Sequence, residues 1–150
     1  MSKAKIGYIG VGLMGHGAAK NILEKGHPLT VMGHRNRAPV EDLLKRGANE
    51  GKSAAEIARA SDILFLCLPS SVEVEATVYG AGGVLEGAHA GLIVVDSTTA
   101  DPNSTRRIAA GSAARASRRL SRSSSTMRPT ASLELSVATA RIRCSVTTAS

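Results

Sequence analysis

Apolar positions in this chain fall into short blocks whose spacing switches between strand and helix periods. Lys5 to Ile9 reads as a first strand, and Leu13 to Lys25 as a helix with Met14, Ala18, Ile22 and Leu23 near helical spacing. Gly26 stops that helix, and Leu29 to Met32 forms a second short strand. Pro39 to Arg46 carries Val40, Leu43 and Leu44 on one side and halts at Gly47, the pattern of a short helix. Ser53 and Glu56 have capping-box spacing ahead of Ile57 and Ala58, which predicts another helix start. The run Ile63 to Leu68 is apolar without alternation and closes at Pro69, so it reads as a central strand buried on both faces. Ser70 and Glu73 repeat the capping-box spacing before Val74 and Val78, and Gly80, Gly82 and Gly83 end that helix. Leu92 to Val95 is a further buried strand ending at Asp96, and Asp101 can cap a helix with Pro102 at its first position. Strands alternating with helices in this way specify an α/β fold with a doubly wound parallel sheet.

The join between the first strand and the first helix holds the densest chemistry. Gly10, Gly12 and Gly15 fit G-x-G-x-x-G, with Val11, Leu13 and Met14 between them. In a dinucleotide site of Rossmann type the first glycine takes a tight turn, the second lets the backbone approach a pyrophosphate, and the third lets helix and strand lie close. The free N–H groups and positive dipole end of the helix then face the anion. Glycine-rich turns also serve packing alone. Placement after a strand and at a helix start is what points to a nucleotide.

The end of the second strand bears on which dinucleotide is bound. A site for NAD places Asp or Glu there, about 20 residues beyond the glycines, to accept from the ribose 2′-hydroxyl. Here the sequence is Met32-Gly33-His34-Arg35-Asn36-Arg37, without a carboxylate. Arg35 and Arg37, flanked by His34 and Asn36, are suited to a 2′-phosphate, so NADP is favoured over NAD. The alternative is that these arginines belong to a solvated loop.

Composition changes the picture mainly by dividing the chain. The formal charge of +7 is spread unevenly: residues 1–110 hold 12 Lys plus Arg against 11 Asp plus Glu, whereas residues 111–150 hold 7 Arg against one acid, Glu134. The second segment also has ten serines, no lysine and a single glycine. The domain therefore reads as residues 1–110, followed by a Ser/Arg-rich tail. Cys67 and Cys144 offer neither metal spacing nor a disulfide framework, and the amino end is too short and too interrupted for a signal peptide or membrane span. A cytoplasmic address is the expectation. His16, His27, His34 and His89 are scattered without a spaced carboxylate or cysteine partner and are assigned no chemistry.

Ile9-Gly10-Val11-Gly12-Leu13-Met14-Gly15, followed by Ala19 and Asn21, resembles the amino-terminal signature of the β-hydroxyacid dehydrogenases, the group of 3-hydroxyisobutyrate, tartronate semialdehyde and 6-phosphogluconate dehydrogenases. Leu66-Cys67-Leu68-Pro69 with Val72 and Gly80 is similar to that family's loop beside the nicotinamide, and Asp96-Ser97-Thr98-Thr99 with Pro102 and Thr105 to its substrate-anchoring segment. The resemblance covers residues 5 to about 110. It implies hydride transfer between NAD(P) and a small 3-hydroxy acid. It also implies that Met14, Leu68 and Pro69 border the nicotinamide, with Ser70 and Val72 beside them. Thr98 takes the position that binds the substrate carboxylate and also counts among the cofactor contacts, with Ser97 and Thr99 as neighbouring donors. Without the family, capping of a strand end is the simpler reading of these hydroxyls.

Members of that family continue into a helical second domain that carries a catalytic lysine, whereas this sequence has no lysine after Lys52. The expectation is an NADP-binding domain that lacks the family's proton-handling group and oligomer interface, with no catalytic residue of its own. Residues 111–150 are open to two explanations. One is a disordered basic arm, for which nucleic-acid contact rests on charge alone, with no aromatic residue for stacking. The other, which the composition favours, is loss of the reading frame near Gly111. A non-catalytic NADP-binding module is the alternative to the dehydrogenase reading.

Overall fold

The computed structural model describes residues 2–33, 35–99, 103–108 and 110–111, together with the backbone of 137–139. Five strands, β1 (Ile6–Ile9), β2 (Leu29–Met32), β3 (Asn49–Gly51), β4 (Ile63–Leu66) and β5 (Ile93–Asp96), alternate with helices α1 (Leu13–Glu24), α2 (Ala38–Lys45), α3 (Ala54–Ala60), α4 (Ser71–Tyr79) and α5 (Val84–Gly87). Residues 103–108 are helical again. A short strand β6 (Val137–Thr139) pairs parallel with β5, and the sheet order is β3-β2-β1-β4-β5-β6. All the pairings are parallel, and this is the order of doubly wound dinucleotide-binding sheets. The expected fold class is thus the observed one. Asp101 and Pro102, and all of the tail except 111 and 137–139, lie outside the described residues.

Three elements were not expected, the first being β6, which lies in the segment read as a tail. β3 is a three-residue strand against β2, with Val31 opposite Glu50 and Met32 opposite Gly51. α5 is one turn directly after Gly83, where glycines had been read as a simple break. The burial of β5 is also not uniform: Ile93 is 42% exposed, while Val94 and Asp96 are buried. β4 does pair with β1 and β5 and so occupies the expected central position.

The sheet separates two apolar layers because strand side chains alternate in direction. Leu64 and Leu66 join Ile9, Ile57, Val74, Val78 and Val94 on the face covered by α3, α4 and α5. Ile6, Tyr8, Leu29 and Val31 meet Ala19, Val40 and Leu43 of α1 and α2 on the other. Gly7 makes the first layer thin. A Cβ there would lie 2.6 Å from Ile57 Cγ2 and from the buried Ser61 hydroxyl, so a larger residue would lift α3 off the sheet. Both apolar layers end at the carboxyl edge of the strands, where the β1–α1 turn opens to solvent.

Candidate functional site

Each glycine of the β1–α1 turn meets a different constraint. Gly10 has φ +98°, and an ideal Cβ on it would overlap the Cys67 carbonyl oxygen that follows β4. The two chain segments are held together there by the Cys67 N–H donating to the Ile9 carbonyl, 2.9 Å. At Gly15, a Cβ would overlap the Gly10 carbonyl and press on the Tyr8 ring at 3.0 Å, so α1 can sit on β1 only with glycine at this point. Gly12 is different. A Cβ there would meet nothing within 4 Å, because the backbone faces open space.

Gly12 is also the N-cap of α1, and no side chain caps that end. The first amide to bond back is His16, to the Gly12 carbonyl at 2.9 Å, which leaves the amides of Leu13, Met14 and Gly15 without intrahelical acceptors. The first turn contains no acid. The start of a twelve-residue helix therefore presents amide donors and a positive dipole end to the solvent side of the turn.

In front of this turn runs a groove of about 330 Å³ lined by Gly10, Val11, Gly12, Leu13, Met14 and Gly15, by Met32, Gly33, Asn36 and Pro39, and by Cys67, Leu68 and Pro69. The structure thus brings together three segments that were far apart in the sequence. Leu13 and Met14 are 97% and 80% exposed and Val72 is 73% exposed, so apolar side chains stand in solvent around the opening. Met32, Gly33, Pro39 and Cys67 belong to the groove although they had not been singled out as contacts.

Other expected residues sit around rather than in the groove. Arg35 is exposed, and His34 lies outside the described residues. Arg37 is in a two-point pair with Glu50, Nη1 to Oε1 at 2.6 Å and Nη2 to Oε2 at 3.1 Å. That hydrogen bond holds the Glu50 carboxyl below its ordinary value and raises the Arg37 guanidinium. The end of β2 lacks a carboxylate in sequence, yet the neighbouring strand supplies one in space.

At the other end of the site, the Thr98 hydroxyl accepts from the Leu68 N–H at 3.0 Å, and its own N–H donates to Asp96 Oδ1 at 2.9 Å. Thr98 keeps its hydroxyl proton for a further acceptor. Ser97 donates its hydroxyl to the Leu66 carbonyl at 2.8 Å, and Thr99 is exposed. These bonds tie the end of β5 to the end of β4, which is the strand-end role that hydroxyls serve. Ser70 caps α4 by accepting from the Val72 N–H at 3.2 Å, and its hydroxyl bonds to Glu73, which lowers that carboxyl. The capping-box spacing thus produced a cap at the second amide, with Glu73 meeting the serine side chain.

Among the described residues the histidines bond to structure: His16 Nε2 to Asp42 Oδ2 at 2.9 Å, His27 Nδ1 to the Ala4 carbonyl at 3.2 Å and His89 Nε2 to the Ser61 carbonyl at 2.9 Å. Among these residues no helix is long and apolar enough to cross a membrane.

Residues 5–122 match the family described as the NAD binding domain of 6-phosphogluconate dehydrogenase. The chain belongs to this family. It is an NAD(P)-binding domain of the hydroxyacid dehydrogenase-like group, and the match runs past the change of composition near Ala110. The probable 3-hydroxyisobutyrate dehydrogenase, mitochondrial, of Dictyostelium discoideum is 33% identical over 108 residues, which cover 72% of this chain and 33% of that protein. The cytokine-like nuclear factor N-PAC of Xenopus tropicalis is 36% identical over 105 residues, 70% of this chain and 20% of that protein. The structure of a reductive aminase from Aspergillus terreus in complex with NADPH and ethyl-5-oxohexanoate superposes with a TM-score of 0.62 at 28% identity, covering 76% of this chain and 38% of that one. The chain therefore spans between a fifth and two fifths of the length of these relatives.

The glycine turn fits the dinucleotide that the family implies, since its one unobstructed position, Gly12, is also the uncapped end of α1. A bound NAD(P) supplies a hydride acceptor or donor. The amides at the start of α1 would hold it, with Met14, Leu68 and Pro69 of the groove alongside.

Proposed function

We propose that this chain binds NADP(H) along the groove as the cofactor-binding part of an oxidoreductase acting on small 3-hydroxy acids. The observation that carries the reading is the open Gly12 backbone at the unshielded start of α1. In this arrangement the pyrophosphate lies on the turn from Gly10 to Gly15. The adenosine end lies toward Met32, Gly33 and Asn36, with His34, Arg35 and Arg37 facing the 2′-phosphate. The nicotinamide end lies toward Met14, Leu68, Pro69, Ser70 and Val72. Thr98, with Ser97 and Thr99, faces the substrate carboxylate through the hydroxyl proton it retains. The NADPH complex of the similar reductive aminase supports NADP as the dinucleotide.

Calorimetric titration with NADPH and NADH tests the reading. NADPH is expected to bind more tightly. Failure of both at millimolar concentration removes the cofactor assignment, and NADH binding as tightly as NADPH removes the preference for NADP.

The similarity to a nuclear factor favours a second reading, in which the same groove serves a cofactor-binding module without catalysis. Any reduction of NADP that depends on both the protein and an added 3-hydroxy acid sinks that second reading.

A further inference from the structure

The pair between Arg37 and Glu50 occupies a particular place. Glu50 lies on the edge strand β3 opposite Val31, and Arg37 immediately precedes α2. The two side chains meet across Gly33, which lines the groove together with Asn36 and Pro39 on either side of Arg37. A Cβ on Gly33 would overlap Glu50 Oε1 and lie 2.6 Å from Arg37 Nη1, so the pair fills the space that any other residue at 33 would take. The geometry is two-point, which fixes the guanidinium plane and uses two of its donors. Arg37 and Glu50 are 47% and 32% exposed, so the pair stays open to solvent beside the groove residue Gly33.

We propose that Glu50 selects between dinucleotides: it holds Arg37 in a two-point pair beside the Gly33 end of the groove, so that a 2′-phosphate competes with Glu50 for Arg37. The inference rests on the reading that the adenosine ribose lies at the Gly33 end. A carboxylate at that position acts on the two cofactors in opposite directions. It repels a phosphate and competes for the arginine that would neutralise it, whereas it can accept from a ribose 2′-hydroxyl. The arginines alone favour NADP, and Glu50 moderates that preference.

The test measures NADPH and NADH affinity for the 150-residue chain and for Glu50→Gln, Glu50→Asp, Arg37→Gln and the Glu50→Gln/Arg37→Gln double variant, by calorimetry. Glu50→Gln frees Arg37 and is expected to raise the NADPH-to-NADH affinity ratio about tenfold, the effect of one charge-assisted contact made available. Glu50→Asp, a smaller change that shortens the reach to Arg37, moves the ratio in the same direction by less. Arg37→Gln lowers the ratio, and in that background Glu50→Gln yields a smaller gain than it does alone. A ratio unchanged within about twofold in both Glu50 variants, or an equal gain with and without Arg37, overturns the proposal. If the unaltered chain prefers NADH yet Glu50→Gln shifts the ratio, the NADP preference fails while the role of Glu50 stands. If the unaltered chain binds neither dinucleotide, the groove reading and this inference fall together.

Discussion

Gly10 and Gly12 stand two residues apart in different surroundings. At Gly10 the backbone is in the left-handed region and a side chain would strike the Cys67 carbonyl, so the constraint is on folding. At Gly12 the backbone has φ −73° and space for a side chain, so the fold itself sets no such constraint. Gly10→Ala is expected to lose at least about 1–3 kcal/mol of stability from conformation, with relief of the overlap adding to it. Gly12→Ala is expected to lose less than about 1 kcal/mol, the difference between glycine and alanine at an N-cap, while weakening NADPH binding at least about tenfold. Urea unfolding and calorimetry on both variants separate the two effects. Equal NADPH affinity in Gly12→Ala and the unaltered chain would remove the pyrophosphate from this turn. Tyr8, beneath the same turn, makes a separate prediction. Its ring stacks on Phe65 at 5.7 Å, and burial, with Cys67 adding, pushes its hydroxyl from 10.0 up to about 12 against the opposing effect of a hydrogen bond with Ser97. A raised folded value means that the contribution is fully present below pH 10 and is lost as pH rises toward 12. The loss is on the order of 2 kcal/mol, and it should vanish in Tyr8→Phe when unfolding midpoints are compared across this alkaline range.

Elements were legible where a local signal defined them. The glycine turn declared itself because the residues that make its geometry are consecutive, and α3 did so through its cap. Ser53 accepts from the Glu56 N–H at 3.2 Å, and Glu56 reaches back to the Lys52 N–H at 2.9 Å. This helix has only seven residues, so the cap matters in proportion: Ser53→Ala is expected to cost about 1 kcal/mol, seen as a lower urea midpoint at unchanged slope. β3 was illegible because Asn49, Glu50 and Gly51 have no apolar pattern, and their strand character comes from pairing with Thr30, Val31 and Met32. α5 was hidden by Gly80, Gly82 and Gly83, although its single turn packs so close to α3 that a Cβ on Gly87 would overlap the Ala55 carbonyl. The site shows the same division. Sequence order gave the turn and both arginines, but Glu50 follows Arg37 by 13 residues and reaches it only through the β2–β3 register.

For the whole molecule, the charged surface and the groove predict different responses. Asp42 is lowered by Arg46 and then His16, Glu50 by Arg37, and Glu73 by Ser70. Depressed folded values mean that these contributions are present above the unfolded values of 3.8 and 4.5 and are lost as pH falls through the folded ones. All three carboxyls lie at the surface, so this acid loss should be shallow and should shrink further in salt. Cofactor acts on the opposite side of the balance. The groove joins the ends of β1, β2 and β4, and a ligand that binds it in the folded state alone stabilises every element that these strands anchor. At a free concentration 100 times its dissociation constant, NADPH should add about 2.7 kcal/mol and raise the melting temperature by several degrees. The rise should follow the logarithm of concentration and be reduced in Gly12→Ala, whose Cβ would meet a pyrophosphate lying on the turn. A shift of equal size in that variant would mean that NADPH stabilises the protein from somewhere other than the glycine turn.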